Sequence, residues 1–194
     1  SGGASRETYR FVLAWTEEGA VRERRLILRR DPPASLIDTE RRVEFEAYRA
    51  FAGSPVPVPE MLWLEEASEA LDHPFFIAEE LCGFQASPQV LLSGAHEAIL
   101  PALAERKWTI LGEITKADPA AIGLTRWMEA PPLDACWKRE LDHWEALIDR
   151  DEAEPLPVTR AAIRWLRANP PPPAQKLAVV HGDFRTGNFL WDEA

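Results

Sequence analysis

His181-Gly182-Asp183-Phe184-Arg185-Thr186-Gly187-Asn188 sets a histidine two positions before a carboxylate and an amide five positions after it, with a guanidinium between. The apolar run Leu177-Ala178-Val179-Val180 leads in and Phe189-Leu190 leads out. That alternation predicts strand, loop, strand over Lys176 to Val180 and Phe189 to Asp192, with the polar groups gathered in the loop. Gly187 is expected to relieve crowding where the loop turns toward Asn188. The chemistry follows from residue type. A carboxylate such as Asp183 can accept a proton from a hydroxyl, and a neutral amide oxygen such as that of Asn188 can ligate a hard cation such as magnesium. Phosphoryl transfer to a hydroxyl needs both groups close together. A metal hydrolase built on His181 and Asp183 would need further histidines, and the spacing supplies none.

Upstream of this loop the chain changes character once. Thr8 to Trp15 and Arg24 to Arg30 are short runs of aromatic and aliphatic residues separated by Thr16-Glu17-Glu18-Gly19, a β-hairpin pattern. Leu36 to Phe51 places Val43, Ala47, Tyr48 and Phe51 at three- and four-residue spacings, one face of a helix that Gly53-Ser54-Pro55 ends. Prolines 55, 57 and 59 make an extended connector into Met61 to Leu64, and His73-Pro74 precedes Phe75 to Ala78, so both runs read as strands. After Gly83 the patterns are helical: Ala95 to Lys116, Leu133 to Ile148 and Val158 to Ala168. Strands with one helix followed by a helical region predict two lobes that meet near Glu79 to Gln85, and clefts form at such junctions.

Composition narrows the function classes. The 194 residues are 46% hydrophobic and 28% charged, as in an ordinary soluble globular protein. A formal charge of -10 with no block of lysine or arginine argues against a nucleic-acid or anionic-membrane partner. Cys82 and Cys136 are far apart and lack metal-ligand spacing, which fits a reducing cytoplasm. No apolar run approaches the roughly 20 residues that span a bilayer. His73, His96 and His143 have no carboxylate or cysteine at ligand spacing, and the tryptophans at 108, 127, 137, 144 and 165 are expected to pack in the core of the helical half.

The loop also carries a resemblance. HGDFRTGNFLWD keeps the histidine, aspartate and asparagine spacing of the protein-kinase pattern His-Arg-Asp-Leu-x-x-x-Asn, with Gly182 in place of the arginine. It is similar to the catalytic segment of the aminoglycoside phosphotransferase and choline kinase superfamily. SGGASRETYRF followed by LILRRDPP resembles the branch found as phosphotransferase family proteins and as the kinase-like domain attached to some acyl-CoA dehydrogenases. Nearly the whole chain is covered, in order. The resemblance implies an α+β, protein-kinase-like fold: a small antiparallel-sheet N-lobe with one helix over residues 1–82, and an incomplete, mainly helical C-lobe over residues 83–194.

It further implies transfer of the γ-phosphate of ATP, with Mg2+, to a hydroxyl of a small molecule. Asp183 would then be the catalytic base and Asn188 the metal ligand, while Arg185 would reach the γ-phosphate or pair with an acidic neighbour. Gly3 and Ser5, in Gly2-Gly3-Ala4-Ser5, would lie in the phosphate-covering loop. Arg29, after Ile27-Leu28, stands where a kinase has its phosphate-holding lysine; Arg30 competes, and on an alternating strand the two point to opposite faces. Glu44 would pair with that basic residue, with Glu40 and Glu46 as rivals, and backbone groups from Glu79 to Leu81 would meet the adenine.

The family pattern continues to a later strand whose aspartate completes the metal site, and Asp192 stands too close to Asn188 to serve. The expectation is therefore a piece of a longer reading frame, inactive or nearly so alone. A pseudokinase-like nucleotide-binding or regulatory module is the alternative. The acceptor and the oligomeric state are not readable.

Overall fold

A computed structural model of the chain describes residues 7–30, 41–67 and 69–193. Strands β1 (Glu7–Glu17) and β2 (Ala20–Arg30) form a hairpin in full register, from Glu17 opposite Ala20 to Glu7 opposite Arg30. The turn is tighter than the predicted four residues. It is Glu18-Gly19 alone, with φ of 51° and 81°. Two central residues at positive φ give the turn the twist of the strands it joins, and glycine adopts that conformation without steric cost.

β4 (Phe75–Glu79) pairs with the other edge of β2, and β3 (Met61–Glu65) pairs with β4, giving an antiparallel sheet in the order β1-β2-β4-β3. Helix α1 (Arg41–Ala50) covers part of one face. The periodicity predicts this helix from Leu36, and residues 36–40 lie outside the described residues. Phe45 of α1 meets Phe76 of β4 with ring centres 6.1 Å apart, and Ala78, Met61 and Leu64 close around them. This is the sheet's core.

A second cluster lies where α1 ends. Phe51, Val56 and Ile114 are buried together, with Val58, Ile110, Val179 and Phe184 packed against them. Ile110 and Ile114 belong to α3 (Leu100–Lys116), which begins five residues later than the pattern suggests, with a proline in its first turn. Proline fits there because the first N–H groups of a helix have no intrahelical acceptor. A short helix α2 (Pro88–Leu91) precedes it, capped by the Ser87 hydroxyl, which accepts from the Val90 N–H at 3.2 Å.

The chain divides into two compact units: one runs to Met128 and resumes at Val179, and the other is Glu129–Ala178. The second unit contains α4 (Cys136–Asp151) and α5 (Pro157–Ala168). Ion pairs link these helices: Arg160 meets Asp149 at 2.5 Å, and Arg167 meets Asp142 at 2.7 Å and also Glu145. Among the described residues, no helix is long and apolar enough to cross a membrane.

Two expectations are corrected. The segments flanking the 181–188 loop are not regular strands: the outgoing one forms a single bridge, Trp191 with Gln85. A strand needs a continuous backbone partner, and one bridge does not supply it. Trp108, Trp127, Trp144 and Trp165 are exposed rather than core: in the segments of Trp108, Trp127 and Trp165 the buried positions are taken by the smaller aliphatics Ile114, Leu124 and Ile163, and α4, which carries Trp144, has no buried residue. The sheet's stability should depend on the Phe45–Phe76 contact. Phe76, 2% exposed, is expected on replacement by alanine to cost about 3–5 kcal/mol, read as a lowered urea midpoint.

Candidate active site

Local hydrogen bonds shape the loop. The Arg185 N–H donates to the Asp183 carbonyl at 3.0 Å, and the Asn188 N–H donates to the Arg185 carbonyl at 3.0 Å, so the chain makes two successive tight turns. Its demanding backbone position is Gly182, at φ 82°, directly before Asp183. Gly187, which the sequence pointed to, has no positive φ; a side chain there would meet the Arg185 guanidinium at 3.1 Å. A β-carbon at residue 182 would strain the turn that presents the carboxylate, so Gly182 is a site residue that sequence reasoning passed over. Its signal was visible as the glycine standing where the kinase pattern has arginine.

Asn188 binds Asp183 twice. Its Nδ2 donates to the carboxylate Oδ2 at 2.7 Å and to the backbone carbonyl of the same residue at 2.8 Å. Arg185 Nε donates to the same Oδ2 at 3.0 Å. Two donors converge on one carboxylate oxygen. The Arg185 guanidinium, then the Asn188 amide, hold the Asp183 carboxyl below its usual range. Because Nδ2 is committed to Asp183, the Asn188 oxygen on the other side of the planar amide faces away from it.

The loop is anchored on both sides. Val179 and Phe184 sit in the Phe51–Val56–Ile114 cluster. Beyond Asn188, Gln85 and Trp191 exchange backbone hydrogen bonds of 2.7 and 2.9 Å, and the Trp191 side chain is 2% exposed. His96 lies edge-on to Trp191, ring centres 4.8 Å apart, with its Nδ1 3.3 Å from Glu193.

On the sheet, neighbouring arginines have different partners. Arg29 lies opposite Phe76 on the face that α1 covers, and its Nη1 donates to Glu44 Oε1 at 2.6 Å. Arg30, on the opposite face, is bound by Glu7 at 2.5 Å and donates to the Leu71 carbonyl at 3.1 Å. The strand-to-helix pair is therefore Arg29 with Glu44. Of the rival glutamates, Glu46 faces Arg49 at 3.4 Å, and Glu40 lies outside the described residues, as do Gly3 and Ser5.

At the end of β4, the Glu79 N–H donates to the Glu60 carbonyl at 2.9 Å and the Glu80 N–H to that of Arg25 at 3.1 Å. Those two donors belong to the sheet. Leu81 follows at the point where regular pairing ends.

A strand arginine paired to a helix glutamate, in the same compact unit as a loop that couples an aspartate to an asparagine, is the arrangement the family pattern implies. Comparison with known proteins agrees. The phosphotransferase enzyme family matches residues 1–194. The chain belongs to that family.

Acyl-CoA dehydrogenase family member 10 of Mus musculus is 28% identical over 97% of this chain and 17% of its own length. Acyl-CoA dehydrogenase family member 11 of Gallus gallus is 23% identical over 85% of this chain and 21% of its own. The chain thus spans about a fifth of the length of the curated relatives it matches. Among solved structures, a Ralstonia eutropha protein provisionally described as an aminoglycoside phosphotransferase superposes with a TM-score of 0.68. It is 23% identical, over 98% of this chain and 56% of that one. That likeness shows the fold, an α+β kinase-like arrangement.

The two hydrogen bonds onto Asp183 carry a direct consequence for its titration. Replacing Arg185 by alanine removes the larger of the two influences, so the Asp183 carboxyl should titrate at a higher pH than in the unaltered protein. Carboxyl-carbon NMR titration would show this; an unchanged midpoint would mean that the guanidinium does not hold the carboxylate in solution.

Proposed function

We propose that this phosphotransferase-family chain carries the catalytic loop of an ATP-dependent kinase acting on a hydroxyl of a small molecule. One observation supports this above the others: Asn188 uses its amide N–H to orient Asp183, which leaves the amide oxygen, on the other side of the group, for a different ligand. One side chain thereby serves both the base and the metal. The base is aimed without consuming the metal ligand.

In the reaction, the acceptor oxygen bonds to the γ-phosphorus as the bond from that phosphorus to the bridging oxygen of ADP breaks. The acceptor's proton passes to the Asp183 carboxylate. The low proton affinity of Asp183 suits this role, because in a loose phosphoryl-transfer transition state the acceptor proton is released late and orientation matters more than basicity. Arg185, which rests on Asp183 Oδ2 through Nε, has its other guanidinium donors left for a γ-phosphate oxygen.

The donor set suits magnesium, a hard cation that takes oxygen ligands and commonly completes its shell with phosphates and water. Asn188 Oδ1 would hold it, with a further carboxylate that the family pattern places downstream of this loop. Among the described residues no group of three or more His, Cys, Asp or Glu could hold a metal alone. Magnesium, when bound, neutralises the charge on the phosphate oxygens.

Arg29, kept in place by Glu44, is the clamp for the inner phosphates, and its planar fork suits two phosphate oxygens at once. Of the backbone groups from Glu79 to Leu81, those not already bonded within the sheet would meet the adenine. Gly3 and Ser5 would cover the phosphates.

In the full-length protein, ATP consumption screened against hydroxylated metabolites should reveal an acceptor. Asp183→Asn should then lower turnover about a hundredfold or more while nucleotide still binds. Turnover that survives this substitution would refute the reading, and nucleotide binding without any acceptor-dependent turnover would favour a regulatory module. Arg29→Ala should raise the KM for ATP more than it lowers kcat, a split that steady-state kinetics with varied ATP would measure.

A further inference from the structure

Helix α3 turns Leu103, Lys107, Ile110 and Ile114 to one side, at spacings of four, three and four. Ile110 and Ile114 pack with Phe184 in the cluster behind the catalytic loop. Lys107 is the charged member of an otherwise aliphatic stripe. A lysine can occupy such a position by laying its methylenes along apolar surface and giving its ammonium a partner at the edge.

Its partners are aromatic faces. The Lys107 ammonium lies 4.9 Å from the ring centre of Trp108, 5.5 Å from that of Phe184 and 5.5 Å from that of Phe189. All three distances fall within the roughly 6 Å at which a cation is attracted by a ring's negative face. The identity of the two phenylalanines gives the cluster its meaning. Phe184 directly follows Asp183, and Phe189 directly follows Asn188.

We infer that Lys107 is a positioning residue for phosphoryl transfer: its ammonium clamps Phe184 and Phe189 and so fixes the spacing between the base and the metal-binding amide. The inference rests on the roles proposed above for Asp183 and Asn188. The 2.7 Å bond from Asn188 Nδ2 to Asp183 Oδ2 joins two exposed side chains, so its geometry is set by the backbone on either side of each. Phe184 is held on one side by the aliphatic cluster. Phe189 is tied to the same helix through the shared cation. A neutral aliphatic residue at 107 could fill the stripe but could not draw both rings to one point.

Two measurements test the clamp on the full-length protein. Hydrogen exchange followed by mass spectrometry reports on residues 182–191, with the β1–β2 hairpin as internal reference. Lys107→Met should speed exchange in 182–191 about tenfold and leave the hairpin unchanged, whereas Lys107→Arg, which keeps the cation, should stay close to the unaltered protein. Phe189→Leu, which removes one ring without touching α3, should reproduce the Lys107→Met effect. It keeps the test available if the lysine variant fails to fold.

In turnover, Lys107→Met should lower kcat about tenfold at an unchanged KM for ATP, and Lys107→Arg should restore it. Unchanged exchange in both Lys107→Met and Phe189→Leu would overturn the clamp. Faster exchange with an unaltered, Asp183-dependent kcat would overturn the positioning role. If the unaltered protein shows no Asp183-dependent turnover, the phosphotransfer reading and the positioning role fall together, and the exchange result still decides whether the clamp exists.

Discussion

An exposed carboxylate can be aimed only if the backbone beneath it is held from behind, and here that support is the cluster of Phe51, Val56 and Ile114, which Val179 and Phe184 complete. Asp183 lies between the last two. Its side chain is 61% exposed, so solvent, not packing, surrounds the carboxylate oxygens. Fixing the backbone of each loop residue costs roughly 1–2 kcal/mol, while burying a phenylalanine or valine side chain contributes about 1.5–3 kcal/mol. One anchor cannot order such a loop. The cluster at its start, the Gln85–Trp191 bridge beyond it and the hydrogen bonds within it act together.

The same cluster couples parts of the chain that are distant in sequence. Phe51 follows α1, whose Glu44 pairs with Arg29, and Ile114 lies on α3, whose Lys107 faces the loop's aromatic rings. A change in the position of α1 would therefore act on the strand arginine and on the packing behind Asp183 together. That coupling arises from contiguous side-chain contact. It fits a protein in which a phosphate-holding cation and a proton acceptor must serve one ligand.

Much of this arrangement was legible in the sequence, for identifiable reasons. The hairpin, α1, β3 and β4 follow from periodicity and from the prolines and glycines between them, because alternation and capping are local properties. The Asp183–Asn188 spacing was readable because both groups act through one short loop. Arg29 and Arg30 could not be separated in sequence, since both end the same apolar run. Register against Phe76 and Phe75, together with the position of Glu44, separates them. The segments flanking the loop and the exposed tryptophans depart from expectation because strand pairing and burial depend on distant partners, which a window of sequence does not contain. Lys107 is inconspicuous in sequence for the same reason: a lysine on a charged helix is ordinary until its neighbours in space prove to be the residues after Asp183 and Asn188.

Charge explains why the guanidinium groups are so closely tethered. The chain carries a formal charge of -10, a poor background for an anionic ligand, so the nucleotide affinity that the proposed function requires would have to come from local cations. Each arginine near the candidate site has an acidic partner: Arg29 has Glu44, Arg30 has Glu7 and Arg185 has Asp183. A solvent-exposed ion pair contributes little to stability, so these pairs are better understood as placement than as cohesion. Glu44 can stay beside Arg29 while the remaining guanidinium donors face phosphate, because the fork has five N–H groups. Arg185 likewise holds Asp183 through Nε alone and on one carboxylate oxygen, Oδ2, which it shares with Asn188. Under the proposed function the second carboxylate oxygen is the one that would take a proton, and the remaining guanidinium donors of Arg185 can reach a phosphate while the contact that orients Asp183 stays in place.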